Sequence, residues 1–229
     1  MKEIASEHIV KPIDILPDME EHTLILELME TSLEKRIEAK EEFKEEEKKR
    51  ILKEILLGIK AFHDAGLVHG DIRASNVLFD ANGTTKIGDL GFAQVFGLPA
   101  QKGNYMNYRS PETLYYGKLD DPSVDMWSFG CLLAGFYRPK PLFSPCDVAG
   151  SQLNSIFEVI GTPSKEEFPG IEELQKAQLS VAACKARPWE KVCRGEEAKL
   201  VVELLPKLIS LEPGKRISAA EALESEYFK

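Results

Sequence analysis

Asp71, Asn76 and Asp89 carry side-chain oxygens on either side of a strong turn signal. Val77-Leu78-Phe79 and Thr84-Thr85-Lys86-Ile87 favour strand, and between them Asp80-Ala81-Asn82-Gly83 favours a tight turn, so the pattern predicts a hairpin. With Asn82 and Gly83 as a two-residue turn, Asn76 faces Asp89 at the open end, and Asp71 reaches the same space from a short loop. Clustered carboxylate and carboxamide oxygens suit Mg²⁺, a hard ion that keeps several waters and shares its other ligands with substrate phosphates. Neighbouring Lys and Arg can counter the remaining phosphate charge. The competing use of Asp71 and Asn76 is a hydrogen-bonded turn.

Several elements must hold that hairpin in place. Residues 23 to 28, Thr-Leu-Ile-Leu-Glu-Leu, have the length of one buried strand and follow the turn-prone Pro17-Asp18. Thr31 with Glu34 matches a capping box that opens a long helix. Charges crowd residues 38 to 50, where Glu45/Lys49 and Glu46/Arg50 have the spacing of a solvated helix face. Ile51, Leu52, Ile55, Leu56, Ile59 and Phe62 then form one apolar stripe, and Gly66 is placed to end the helix. Helical patterns dominate beyond the hairpin. Leu200, Val201, Leu204, Leu205, Leu208 and Ile209 mark a buried face that Pro206 should kink, and Ser218 with Glu221 caps a last short helix.

Composition limits the function classes. A chain of 229 residues, 43% of them apolar, can bury a substantial core. A net charge of −9 with intermixed signs argues against broad attraction to nucleic acid or anionic membrane. No leader-like segment or membrane-length apolar run is visible, so a soluble intracellular protein is expected. Cys131, Cys146, Cys184 and Cys193 form no C-x-x-C pair and read as reduced thiols.

His69-Gly70-Asp71-Ile72-Arg73-Ala74-Ser75-Asn76 resembles the catalytic loop H-R-D-x-K-x-x-N of protein kinases. Asp89-Leu90-Gly91 resembles D-F-G, and Ser110-Pro111-Glu112 resembles A-P-E. Each motif alone is weak; their order along the chain makes them jointly specific. Tyr108 to Glu112, Asp125 to Cys131, Gly161-Thr162-Pro163 and Leu211 to Ser218 extend the likeness to cyclin-dependent kinases or near relatives in the proline-directed group.

This resemblance implies an α+β, protein kinase-like fold. Residues 29–229 would form the helical carboxy-terminal lobe, with a catalytic loop at 69–76 and an activation segment at 89–112. Residues 1–28 would be a remnant of the amino-terminal lobe and hinge strand. Asp71 would accept or orient the substrate hydroxyl proton, and Asn76 and Asp89 would hold Mg. Arg73 stands where serine/threonine kinases usually carry Lys, keeping charge on the γ-phosphate side; some tyrosine kinases also carry Arg near this place, which leaves the acceptor hydroxyl open. Leu26 takes the gatekeeper position, and Glu27 to Met29 the hinge that holds the adenine of ATP through backbone groups. Glu112 with Arg216 corresponds to an ion pair tying down the activation segment, and Asp125 to an anchor beneath the catalytic loop. The implied partner is a protein substrate, proline-directed through Arg109. A cyclin-like partner would have lost most of its usual contact surface. The implied setting is cell-cycle or transcription control in nucleus or cytoplasm.

The pattern also departs from the family. No glycine-rich loop, strand Lys or helix Glu is visible, and the resemblance puts the helix Glu just before Met1. Weak activity of the chain alone is therefore expected, with exposed apolar surface where a small lobe would pack. Gly70 replaces the usual Arg, and no Ser or Thr lies between Gly91 and Arg109, so activity should not depend on Ser/Thr phosphorylation there. Tyr105 fills the place of a small hydroxyl residue, and Leu90 that of Phe. Two readings follow: a serine/threonine kinase, or a catalytically impaired pseudokinase-like scaffold.

Overall fold

The apolar stripe of residues 51 to 62 becomes the axis around which the chain is packed. The computed structural model describes residues 4–17, 22–95, 97–99, 105–119, 121–168, 170–172 and 183–229. Helix α1 spans Leu33–Glu38 and α2 spans Glu45–Asp64. On α2, Ile51, Leu52, Ile55, Leu56 and Ile59 are fully buried, each contributing about 1.5–3 kcal/mol of transfer free energy. Three glutamates in the first turn complement the helix dipole, and Gly66, in the left-handed region, follows the C-cap Ala65. Helices α3 (Pro111–Tyr116), α4 (Ser123–Gly135) and α5 (Ala149–Ile160) follow. Every residue of α4 from Val124 to Ala134 is buried, as suits a helix enclosed on all sides. The helix Lys199–Leu208 continues past Pro206 and buries Val201, Leu204, Leu205 and Leu208. Ser218 and Glu221 form both halves of a capping box.

The region before α2 corrects two expectations. Thr31 is not the cap, because α1 begins at Leu33 and the residue just before it is Ser32, whose hydroxyl accepts the Lys35 N–H at 3.3 Å. Nor does one long helix follow. The chain breaks after Glu38, passes Lys40 at φ 57, and restarts at Glu45. The charged pairs fall in a different register from the expected one: Lys48 meets Glu45 at 3.3 Å, and Arg50 meets Glu54 at 3.0 Å.

Strands β1 (Pro12–Pro17) and β2 (His22–Leu26) form a separate antiparallel ribbon. The strand expected at 23 to 28 thus ends at Leu26, and it is not buried: Leu24, Ile25 and Leu26 are exposed, as are Ile13, Ile15 and Leu16 across the ribbon. One partner strand satisfies the backbone, but no second layer covers the side chains among the described residues. Asp18 of the expected Pro17-Asp18 turn lies outside the described residues. Within the same set, no helix is long and apolar enough to cross a membrane, and the four cysteines are free.

Strands β3 (Thr31–Ser32), β4 (Leu67–Val68), β5 (Val77–Phe79) and β6 (Thr85–Ile87) come next. β3, β5 and β6 make a three-stranded antiparallel sheet. Residues 8 to 10 run along its edge, where Val10 N–H donates to Ile87 O at 2.9 Å. The β5–β6 register pairs Val77 with Ile87 and Phe79 with Thr85, so the loop holds one residue more than a two-residue turn. Asp80 is the cause. Its Oδ1 accepts the N–H groups of Asn82 at 2.9 Å and Thr84 at 2.8 Å, and its own N–H donates to Thr84 O at 3.1 Å. Gly83 absorbs the extra residue at φ +78, a left-handed conformation that costs glycine little. Asn76 therefore faces Gly88, not Asp89: Gly88 N–H donates to Asn76 O at 2.8 Å, and Asp89 is one step further on.

Candidate active site

The 69–76 loop is fastened to α4 from below. Asp125 is 1% exposed; its Oδ2 accepts the His69 N–H at 2.8 Å and lies 3.0 Å from His63 Nε2, and its Oδ1 accepts the Gly70 N–H at 2.9 Å. Burial pushes this carboxyl up, yet the His63 hydrogen bond and the neighbouring imidazoles outweigh it and hold the group below the usual aspartate value. The loop is fastened to the hairpin by His69, which is fully buried. Its Nε2 lies 3.0 Å from Gly88 O, and its Nδ1 lies 3.2 Å from the Asp71 N–H. A carbonyl on one side and an N–H on the other select the neutral Nε2–H tautomer. Burial also holds the ring's pKa below the ordinary histidine value. One imidazole thus links the backbone of Asp71 to the residue before Asp89.

Asp71, Arg73 and Asn76 meet at a single atom. Asp71 Oδ2 accepts Arg73 Nε–H at 2.9 Å and Asn76 Nδ2–H at 2.7 Å, while its Oδ1 takes no hydrogen bond among the described residues. Asn76 also donates to Asp71 O at 2.9 Å, so its amide nitrogen is committed to the loop. That fixes the carboxamide's orientation and leaves Oδ1 as its metal-competent atom, with only the Ser75 hydroxyl at 3.3 Å. For Arg73, burial lowers the pKa, but the Asp71 hydrogen bond and charge raise it further, so the guanidinium stays charged. Its Cζ lies 3.8 Å from the Tyr105 ring centroid.

Asp89 is exposed and has φ 58, ψ 74, a left-handed conformation that aspartate tolerates better than most residues. Its Oδ1 accepts a long bond from Gly91 N–H at 3.4 Å. Among the described residues no cluster of three or more His, Cys, Asp or Glu could cage a metal. Asn76 Oδ1 and the Asp89 carboxylate are hard oxygen donors, the chemistry that an ion such as Mg²⁺ takes alongside water and a nucleotide's phosphates.

The expected adenine contacts lie on a third segment. Leu26 ends β2 and is 40% exposed. Glu27 is tied back to the fold: its N–H donates to Lys11 O at 3.0 Å, its Oε1 accepts the Lys11 N–H at 2.8 Å, and its Oε2 pairs with Lys86 Nζ at 2.6 Å. Burial pushes the Glu27 carboxyl up, but the Lys86 and Lys11 hydrogen bonds prevail and lower its pKa. Its side chain is therefore spent on structure. Leu28 and Met29 make no hydrogen bond among the described residues, whereas the next N–H, from Glu30, donates to Phe79 O at 2.8 Å. Leu28 and Met29 thus sit between two hydrogen-bonded anchors, Glu27 and Glu30.

The 89–112 segment is anchored at its far end by Glu112. Arg216 donates to both Glu112 oxygens, at 2.6 and 2.8 Å, and its guanidinium lies 4.9 Å from the Trp127 ring centroid. Burial lowers the Arg109 pKa, and the attraction of Asp71 works against it. Residues 96 and 100–104 of this segment lie outside the described residues.

Reasoning from sequence missed His63, the His69 link, the Lys86–Glu27 pair and the Tyr105 stack. His69 carried a signal as the first residue of the loop motif, Tyr105 as a ring in the place of a small hydroxyl residue and Glu27 as part of the expected hinge, but their partners depend on contacts between distant segments. The family model described as "Protein kinase domain" matches residues 1–228.

Proposed function

Because the chain belongs to the protein kinase family, we propose that it transfers the γ-phosphoryl group of ATP to a serine or threonine hydroxyl of a protein, as a kinase of the cyclin-dependent type. The observation that best supports this is the convergence on Asp71: one carboxylate oxygen is held by Asn76 and Arg73, and the other is left for an incoming hydroxyl. Bound Mg²⁺ would neutralise charge on the transferring phosphoryl group, with Asn76 Oδ1 and the Asp89 carboxylate as its protein ligands. Arg73 adds fixed positive charge beside the acceptor. Free backbone groups at Leu28 and Met29 support a hinge role for the stretch after Leu26. On this reading residues 29–229 are the carboxy-terminal lobe and 1–28 a remnant of the amino-terminal one. Arg109 supports a preference for proline after the acceptor, and a role in cell-cycle or transcription control follows from the cyclin-dependent likeness.

The test is phosphate transfer from radiolabelled Mg-ATP to a positional peptide library by the purified chain. Transfer that Asp71→Asn abolishes, enriched for Ser or Thr followed by Pro, is expected. Wild-type chain that binds no Mg-ATP would sink the reading. A second reading, an interaction scaffold, is favoured by the uncovered apolar ribbon β1–β2. It predicts a partner captured equally well by wild type and by Asp71→Asn.

A further inference from the structure

Arg138, just beyond α4, is a half-buried cation that makes no hydrogen bond, ion pair or ring contact among the described residues. Burial pushes its guanidinium below the ordinary arginine value, and the nearby Arg187 acts in the same direction. Among the described residues its one attractive neighbour is the Cys193 thiol. Burial raises that thiol to about 11, so at neutral pH it carries no charge and supplies no counter-ion. A partly desolvated guanidinium that also feels a second positive charge is unfavourable until an anion completes the group.

Arg138 borders an open hollow of about 550 Å³ that is also lined by Lys48, Tyr137, Arg194 and Glu197. Among the described residues the acids at hand are already used. Lys48 lies 3.3 Å from both Glu45 and Glu197, and the Tyr137 hydroxyl donates to Glu45. Among the described residues Arg194 spends only its Nε, on Lys191 O at 3.4 Å. In a chain of net charge −9, the charged residues described as lining the hollow are three cations, Lys48, Arg138 and Arg194, and one carboxylate, Glu197.

We propose that the hollow binds a phosphoryl group, with Arg138 as the paired donor and Arg194 and Lys48 at the rim. The planar fork of a guanidinium matches two phosphate oxygens, and a half-buried setting strengthens that pairing. The ligand is a phosphate monoester dianion or its free counterpart: a phosphorylated side chain of a protein, or inorganic phosphate. A bounded hollow on an acidic protein does not offer the extended basic stripe that a nucleic acid backbone needs. The site shares no residue with Asp71, Asn76 and Asp89 and stands or falls apart from the phosphoryl-transfer reading.

The test is calorimetric titration of the full chain at low salt, without nucleotide or Mg²⁺. Titrants are a phosphoserine peptide, its unphosphorylated twin and orthophosphate, and Arg138→Ala, Arg138→Gln and Arg73→Ala are compared with wild type. We expect saturable one-to-one binding of the phosphorylated peptide, weakened at least about tenfold by both Arg138 substitutions and unchanged by Arg73→Ala. Tighter binding of the phosphopeptide than of orthophosphate assigns a protein ligand, and equal binding assigns free phosphate. Arg138→Gln keeps the side-chain bulk, so it decides if the alanine variant fails to fold. No saturable binding, equal binding of the unphosphorylated peptide, or indifference to Arg138→Gln overturns the site.

Discussion

The Arg73 guanidinium rests on the face of Tyr105, 3.8 Å from the ring centroid, while its Nε–H is bonded to Asp71 at 2.9 Å. The ring therefore helps set the position of the cation beside the central carboxylate. A cation over an aromatic face at a partly exposed site is worth about 0.5–1 kcal/mol. Tyr105→Ala should slow peptide phosphorylation roughly two- to fivefold, the rate equivalent of that contact, and Tyr105→Phe should lose less. Steady-state rates for the two variants check this, and an alanine variant as fast as wild type removes Tyr105 from the arrangement.

Glu112 and Arg216 form a bidentate pair in which the arginine side chain is fully buried. Removing one partner leaves the other charge buried and unpaired, which costs about 3–5 kcal/mol. Urea unfolding of Glu112→Ala should show a loss of that size, and Glu112→Ala with Arg216→Leu should recover part of it. A single-mutant loss below about 1 kcal/mol would mean that the pair behaves like a surface salt bridge.

His69 couples the loop and the hairpin end through its neutral tautomer. Its folded-state pKa is depressed by burial, so the unfolded chain binds the proton more readily. This stabilising contribution is intact above the ordinary histidine pKa of about 6.5 and is lost progressively as pH falls from there through the folded value. Protonating Nδ1 would also set a donor against the Asp71 N–H. Unfolding free energy should thus decline below about pH 6.5, ahead of carboxylate titration. In His69→Gln that part of the pH profile should flatten, and an unchanged slope would remove His69 as its source.

Gly70 stands at φ +75, where an added Cβ would lie 2.6 Å from Leu119 Cδ1. Leu119 can shift, but the left-handed backbone still costs a side-chain-bearing residue about 1–2 kcal/mol. Gly70→Ala should lower stability by that amount and Gly70→Arg by more, as read from thermal melts. Restored melting of Gly70→Ala by Leu119→Ala would show that the contact, not the dihedral, sets the cost.

What was legible from sequence was whatever depends on neighbours along the chain. The stripe of α2, the Ser218 capping box, a hairpin around Asn82-Gly83 and the closeness of Asp71 to Asn76 are local patterns, and each has its counterpart in the structure. Local rules failed where two turns competed. Ser32 displaced Thr31 as the cap because the helix starts one residue later, at Leu33, and the Asp80 side chain closed a longer loop that shifted Asn76 onto Gly88. Only tertiary structure decided how the loop is held. The family likeness implied Asp125 as an anchor and Glu112 as the partner of Arg216, but not that Asp125 reaches His63, His69 and Gly70 or that Tyr105 settles on Arg73. Such partners are chosen by burial, because a charge or polar group taken from water must find another that the packed core brings to it, however far away it lies in the chain.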